Sequence, residues 1–175
     1  VKDKGYEILY FTEKVDEFAI RMMQNYQEKQ FQSVLDSNLD LESEEEKKEL
    51  EEKQESSKDM LETMKKALEG KVGNVKLSGR LKSHPVCLSS EGELSMEMAK
   101  TLNAMPGTEG QKLQAQTVLE INPEHPIYQR LMDLQTSDTA KLDEYAKLLY
   151  DQALLIAGMP VEDPVAFSNR ICDLM

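Results

Sequence analysis

The stretch LDEYAKLLYDQALLIAGMPVEDPVAFSNRICDLM, residues 142–175, predicts two helices that meet at a tight corner. Apolar residues recur at three- and four-residue spacing from Leu142 to Ile156, and the run ALLIA at 153–157 is apolar on every side, which is typical of a helix that is covered all round. Gly158 suits the left-handed residue that ends a helix, and Asp163 followed by Pro164 suits the cap and first residue of the next helix. Terminal helices with this much apolar surface need a partner, either elsewhere in this chain or in a second copy.

Length and composition predict one domain, or a domain with an appended helical element. The chain has 175 residues, of which 39% are hydrophobic, and its formal net charge is -12. This charge argues against a nucleic-acid or membrane partner, because nucleic acids and anionic lipid surfaces would repel it. We also find no run that approaches the length of a transmembrane helix.

The two cysteines and the first residue bear on the origin of the chain. Cys87 and Cys172 lie far apart within apolar patterns, which favours two buried thiols of a reduced, cytoplasmic protein over a disulfide. The chain begins at Val1 without an initiator Met, so we expect a fragment of a longer protein.

The first third of the chain combines short apolar runs with two amphipathic or charged helices. Residues 5–11, GYEILYF, predict a strand covered on both faces, and residues 12–29 predict a helix that packs on it. A short strand is predicted at 31–35. Residues 43–69 predict one long charged helix, with a capping box at Ser43 and Glu46 and a stop at Gly70. Its charge run is a solvated face or, as the alternative, a surface that binds a partner.

The remaining strands predict a small mixed sheet. Alternating residues at 75–81 and 86–88 indicate a hairpin on an antiparallel edge, with His84 exposed in its turn. Residues 116–121 predict another strand, followed by a helix with Asn122 as its cap and Pro123 as its first residue. For His125 we expect a structural or surface role. The predicted class is α/β (α+β), with flanking helices around the sheet.

A second amphipathic helix is predicted at 93–105, capped by Ser90. Its apolar stripe consists of Leu94, Met98, Leu102 and Met105, between two polar and flexible segments. The stripe is either a core face or a methionine-rich surface that adapts to varied apolar partners. The residues themselves leave both interpretations open.

No motif in the sequence points to catalysis. The chain contains no Gly-rich phosphate loop, no nucleophile elbow and no cluster of Cys and His at metal-ligand spacing. We therefore predict no catalytic, cofactor-binding or metal-binding residue, and no enzyme activity of its own.

Five segments in order resemble the C-terminal domain of the heat shock protein 90 family, and its bacterial members most. They cover essentially the whole chain and read GYEILYFTEKVDEF, GRLKSHPVCLSS, LSMEMAK, LEINPEHPIYQRL and LLYDQALLIAGMPVEDPVAFSNRI. The resemblance implies a single dimerisation domain over 1–175, with an α/β core at 1–135 and a dimerisation helix pair at 136–175. The pair would form a four-helix bundle with its copy.

The resemblance also implies a function and a set of site residues. The chain would be part of an ATP-driven chaperone of protein folding and the stress response, with ATP and Mg bound by domains outside it. Its partners would be a second copy and unfolded or partly folded client proteins. Client contacts are implied for Leu94, Met98, Leu102 and Met105. Dimer contacts are implied for Leu142, Tyr145, Leu149, Gln152, Ala153, Ile156, Phe167, Ile171 and Leu174.

The alternative function is a monomeric protein-binding domain. In that case the terminal helices only complete the core of their own chain, and the stripe at 94–105 belongs to that core or to a binding surface.

Overall fold

A computed structural model describes residues 4–39, 41–105 and 113–174, which fold into two compact units. The first unit comprises Val1–Leu41 and Ser90–Gln116, and the second comprises Glu42–Ser89 and Thr117–Met175. The helices are α1 (Asp16–Met23), α2 (Glu44–Ser56), α3 (Lys58–Ala67), α4 (Met96–Asn103), α5 (Pro126–Ser137), α6 (Thr139–Ile156) and α7 (Pro164–Leu174). The strands are β1 (Asn25–Tyr26), β2 (Lys29–Gln30), β3 (Asn74–Leu77), β4 (Val86–Glu91) and β5 (Gln116–Ile121). The predicted α/β class is confirmed.

The larger sheet has the strand order β3-β5-β4, with β5 in the centre. β3 runs parallel to β5, so that Val75 lies opposite Leu119 and Leu77 lies opposite Ile121. The predicted hairpin of β3 and β4 is therefore wrong, although both strands exist. Alternation indicates which face of a strand is buried but does not identify its partner. β5, whose residues 118–121 are all buried, takes the central position that two covered faces favour.

The core of the second unit forms where α3 packs against β3, α5 and α6. Met60 and Met64 of α3, Leu131 of α5 and Leu142 of α6 are each at most 1% exposed. The apolar second half of the predicted charged helix thus supplies one side of this core. The capping box at its start is confirmed, because Glu46 N–H donates to Ser43 Oγ and Ser43 N–H donates to the Glu46 carboxylate.

The single helix predicted at 43–69 is wrong, because the chain breaks it at Ser57. The Ser57 side chain is buried, and its Oγ lies 2.6 Å from the Lys53 carbonyl oxygen and 2.6 Å from Tyr128 Oη. A serine hydroxyl that bonds to the preceding turn competes with the helical backbone and bends the helix. The break separates the solvated α2 from the buried α3.

Two strands predicted in the first unit are also wrong. Residues 6–11 form no strand within the described part of the chain, and Tyr10 there is 74% exposed. Residues 31–35 form no strand either, and α1 buries none of its residues. Strand propensity reflects packing against neighbouring strands, and the described residues provide none for these runs.

Two helices begin later than predicted. Ser95, rather than Ser90, caps α4 by accepting from Met98 N–H. His125, rather than Asn122, caps α5, since its Nδ1 accepts from Ile127 N–H and Pro126 is the first helical residue. Asn122 instead donates its amide to the carbonyl oxygens of Lys82 and His84 and so holds the loop before β4.

A buried carboxylate, Glu120 of β5, crosslinks the sheet. Its side chain is 2% exposed and accepts from Ser78 Oγ (2.7 Å), Ser89 Oγ (2.6 Å) and two nitrogens of Arg80 (2.9 and 2.7 Å). A buried charge is tolerated when such bonds satisfy it, and removal of one partner leaves the other charge buried and unpaired.

We predict that Glu120→Ala destabilises the second unit severely. The substitution removes a buried carboxylate that accepts hydrogen bonds from Ser78, Ser89 and Arg80, and the free energy of unfolding should fall by about 3–5 kcal/mol. Urea unfolding measures this change. The control is Glu124→Ala, which removes a 70% exposed partner of Lys53 and should cost at most about 1 kcal/mol. Similar losses for the two variants would contradict the prediction.

Candidate functional site: the terminal helix pair and helix α4

The inner face of α6 is part of the core of this chain. Leu142, Ala146, Leu149 and Ala153 recur at three- and four-residue spacing, and each is at most 3% exposed where α6 packs on α3 and α5. Three of the residues predicted for a dimer interface, Leu142, Leu149 and Ala153, therefore already have partners within the chain. Their predicted contact with a second copy stays a prediction.

Several large apolar side chains of the terminal pair are accessible. Leu155 and Ile156 at the end of α6 are 50% and 42% exposed, and Val165 and Ile171 of α7 are 70% and 36% exposed. None of the described residues of α7 is buried. The predicted interface residues Tyr145, Gln152, Phe167 and Leu174 are half-buried. Met175, which the sequence also adds to this apolar end, lies outside the described residues.

The corner between α6 and α7 forms as predicted. Gly158 has φ +71°, and Met159 N–H donates to the Leu154 carbonyl oxygen, which closes the end of α6. Asp163 Oδ1 then accepts from the N–H groups of Val165 and Ala166 and so caps α7. These hydrogen bonds fix the backbone where α6 ends and where α7 begins.

An arginine fastens α7 to α6. Arg170 Nε donates to Glu144 Oε2 (3.0 Å), and Arg170 Nη1 donates to Asp151 Oδ2 (2.9 Å). The side chains of Arg170 and Asp151 are 17% and 10% exposed. Burial raises the pKa of Asp151 despite the guanidinium beside it, whereas hydrogen bonds from Lys147 and Arg170 lower the pKa of Glu144. These ion pairs could not be predicted from the sequence, because polar residues 19 and 26 positions apart share no local periodicity.

Helix α4 carries the residues predicted for client contacts. Leu94, Met98 and Leu102 are half-buried, and Met105 is 48% exposed just beyond the helix. Ser95, at the cap, donates from Oγ to Glu17 Oε2 (2.9 Å) and so joins α4 to α1 within the first unit. The stripe is neither a fully buried core face nor a fully solvated one. The end of the helix predicted at Pro106 lies outside the described residues.

The described residues offer no metal site and no reactive centre. They contain no group of three or more His, Cys, Asp or Glu that could hold a metal ion. Both cysteines are free thiols, as expected, but Cys172 is exposed rather than buried. Burial and the nearby Glu120 carboxylate raise the pKa of Cys87 to about 11, which disfavours the nucleophilic thiolate. His84 is exposed, as predicted, and His125 has a structural role, as expected, although as the cap of α5 that was predicted for Asn122. In the described part of the chain, no helix is long and apolar enough to cross a membrane.

A family model described as "Hsp90 protein" matches residues 1–175. The chain belongs to the Hsp90 family. It is 54% identical over 175 residues to "Chaperone protein HtpG" of Bacillus subtilis (strain 168), 55% to that of Clostridium perfringens (strain 13 / Type A) and 56% to that of Halalkalibacterium halodurans. Each match covers the whole of this chain but only 27–28% of the relative. This Hsp90-family chain therefore corresponds to a part of a chaperone.

We predict that Glu144 makes the helix pair sensitive to acid. Because its folded pKa is lowered from about 4.5, the stability it contributes is present above that value and is lost as the pH falls through the folded pKa. The pKa of Asp151 is raised, so ionisation of this side chain lowers the stability of the folded chain. Asp151 therefore does not contribute to the loss of stability in acid. Urea unfolding at about pH 6 and about pH 3.5 should show a smaller acid-induced loss for Glu144→Gln than for the unsubstituted chain. Asp173→Asn, at an exposed position of α7, is the control, and an equal loss in all three proteins would contradict the prediction.

Proposed function

We propose that this chain joins two copies of an Hsp90-family chaperone through α6 and α7, and that α4 contacts unfolded or partly folded client proteins. The observation that carries the proposal is the exposed apolar surface formed by Leu155, Ile156, Val165 and Ile171 on a helix pair with no buried residue in α7. When exposed large apolar side chains cluster on a folded chain, they mark a protein interface. The family assignment supports the same function.

A second copy is the partner that we propose for this surface. A two-fold interface brings the same patch of both chains together, so each exposed apolar side chain of one copy would face apolar side chains of the other. A stable interface of this kind buries about 1,600 Å² in total. Burial of apolar area is the main favourable contribution to most protein association, which favours the apolar end of the helix pair over the charged face of α2.

The work of the whole chaperone would be divided between this chain and the rest of the protein. We propose that ATP and Mg act in regions outside these 175 residues, in a cytoplasmic protein of the stress response. This chain itself would supply no catalytic residue, and its contribution would be to hold the two copies and to offer α4 to clients.

The monomeric alternative also has an observation in its favour, because α6 completes the core of its own chain. Because α6 is part of the core, changes that disrupt α6 cannot separate the dimeric hypothesis from the monomeric one. Removal of everything after Asp138 would unfold the second unit under either hypothesis, and Leu149→Glu would place a charge in the core rather than in an interface. Substitutions at exposed positions separate the two hypotheses.

We predict that Val165→Glu weakens dimerisation by at least about tenfold, because it places a carboxylate in a desolvated apolar interface. Val165 is the second residue of α7, where a negative charge suits the helix N-terminus, so the fold of the single chain should be unaffected. Sedimentation equilibrium measures the dissociation constant. Ala140→Glu is the matched control, since Ala140 is exposed and is the second residue of α6. Ile171→Glu tests the surface at a second point.

The monomeric hypothesis predicts that all of these proteins sediment as single chains. An unsubstituted chain that remains monomeric at tens of micromolar would therefore overturn the proposed function.

For α4 we predict that Met98→Asp weakens the suppression of aggregation of a chemically unfolded test protein, because a charge interrupts the apolar stripe. Light scattering at equal protein concentration measures this suppression, and dimerisation should not change. Ser56→Asp adds the same charge to an exposed position of α2 and should leave the suppression unchanged. Unaltered suppression by Met98→Asp would assign the helix a structural role.

A further inference from the structure

We propose that Arg170 is the positioning residue that sets how α7 docks on α6, and that it thereby sets the affinity of self-association. This inference rests on the proposed function. It assigns a role to a polar side chain that lies beside the apolar surface rather than within it.

The guanidinium contacts α6 at two points. Its Nε and Nη1 atoms reach Glu144 and Asp151 at 3.0 and 2.9 Å, and these carboxylates are seven residues apart along α6. Seven residues are about two helical turns, so positions 144 and 151 lie on one face of α6 with their backbones about 10 Å apart along the axis, and the two side chains converge on the guanidinium. Two bonds from one planar group restrict both the rotation of α7 about its axis and its position along α6.

The apolar contacts of α7 are less directional. Phe167 and Leu174 lie three residues before and four residues after Arg170, on the same side of α7, and both are half-buried. Apolar packing stabilises the docked helix but does not fix its rotation as directed hydrogen bonds do. Arg170 is the most buried charged side chain of the helix, and its bonds are shielded from water and salt more than surface pairs are.

The docked orientation determines which side chains of α7 face outward. The side of α7 directed to α6 carries Phe167, Arg170 and Leu174. In this orientation Val165 is the most exposed apolar residue of the helix, and Ile171 is less exposed. A helix that leaves this orientation presents Val165 and Ile171 in different directions relative to Leu155 and Ile156.

The effect on affinity follows from the fraction of chains in which α7 is docked. The apparent dissociation constant rises in inverse proportion to the competent fraction of each partner, and both copies must be competent. If loss of the guanidinium lowers that fraction to about one third, the dimer dissociation constant rises about ninefold.

The test compares Arg170→Met, which keeps an aliphatic side chain, with Arg170→Lys and with the unsubstituted chain. We expect Arg170→Met to raise the dimer dissociation constant by about tenfold or more in sedimentation equilibrium. Arg170→Lys should give an intermediate value, because an ammonium group is a point charge and cannot reproduce the planar two-point contact. Arg130→Met, at an exposed arginine of α5, is the matched control and should stay within about twofold of the unsubstituted chain.

Two further measurements separate docking from folding. The double variant Asp151→Asn with Arg170→Met removes the uncompensated buried carboxylate, so it should keep the fold and still dimerise weakly. Hydrogen exchange of the α7 amides in dilute, monomeric protein should be faster in Arg170→Met, while exchange in α3 and α5 stays the same.

The outcomes distinguish this inference from the proposed function. A dimeric unsubstituted chain with an unchanged dissociation constant in Arg170→Met and in the double variant overturns the inference alone. A monomeric unsubstituted chain overturns the proposed function and, with it, the effect on affinity. Unchanged exchange of the α7 amides overturns the docking role in either case.

Discussion

The packing of α6 against α3 and α5 is the interaction on which the terminal region depends. It uses Leu142, Ala146, Leu149 and Ala153 inside the chain, so the inner face of α6 is occupied before any second copy binds. The apolar residues left over are at the end of α6 and on α7. A single helix pair therefore has two roles, with one face that completes a core and another face that we propose for self-association.

Two buried carboxylates of the second unit have similar partners. Glu120 in the sheet and Asp151 on α6 are both largely withdrawn from water, and each accepts a hydrogen bond from an arginine. The planar guanidinium can bond to more than one oxygen in a fixed geometry. Such pairs contribute little net stability compared with apolar contacts, but they restrict the arrangement of the parts they join. In the sheet the pair joins neighbouring strands, and in the helix pair it joins α7 to α6.

Local signals predicted several ends of elements but misplaced the caps of α4 and α5, and long-range pairing was not predictable from them. The capping box at Ser43, the strand at 116–121 and the corner at Gly158 and Asp163 follow from backbone chemistry within a few residues, and all are observed. The position of β5 between β3 and β4 depends on pairing across the chain. The break at Ser57 depends on Tyr128, which is 71 residues away. Periodicity likewise marked Leu149 as apolar and inward-facing but could not tell an interface from a core.

In the proposed dimer, the exposed face of α6 and α7 contacts the same face of a second copy. An isotope-filtered nuclear Overhauser experiment on an equal mixture of methyl-labelled and unlabelled chains tests it directly. If the copies associate through this face, we expect intermolecular cross-peaks from the methyl groups of Val165, Ile171 or Ile156 to protons of the unlabelled chain. If these methyl groups give only intramolecular cross-peaks while the mixture is dimeric, the copies associate through another surface and the proposed interface of α6 and α7 is wrong.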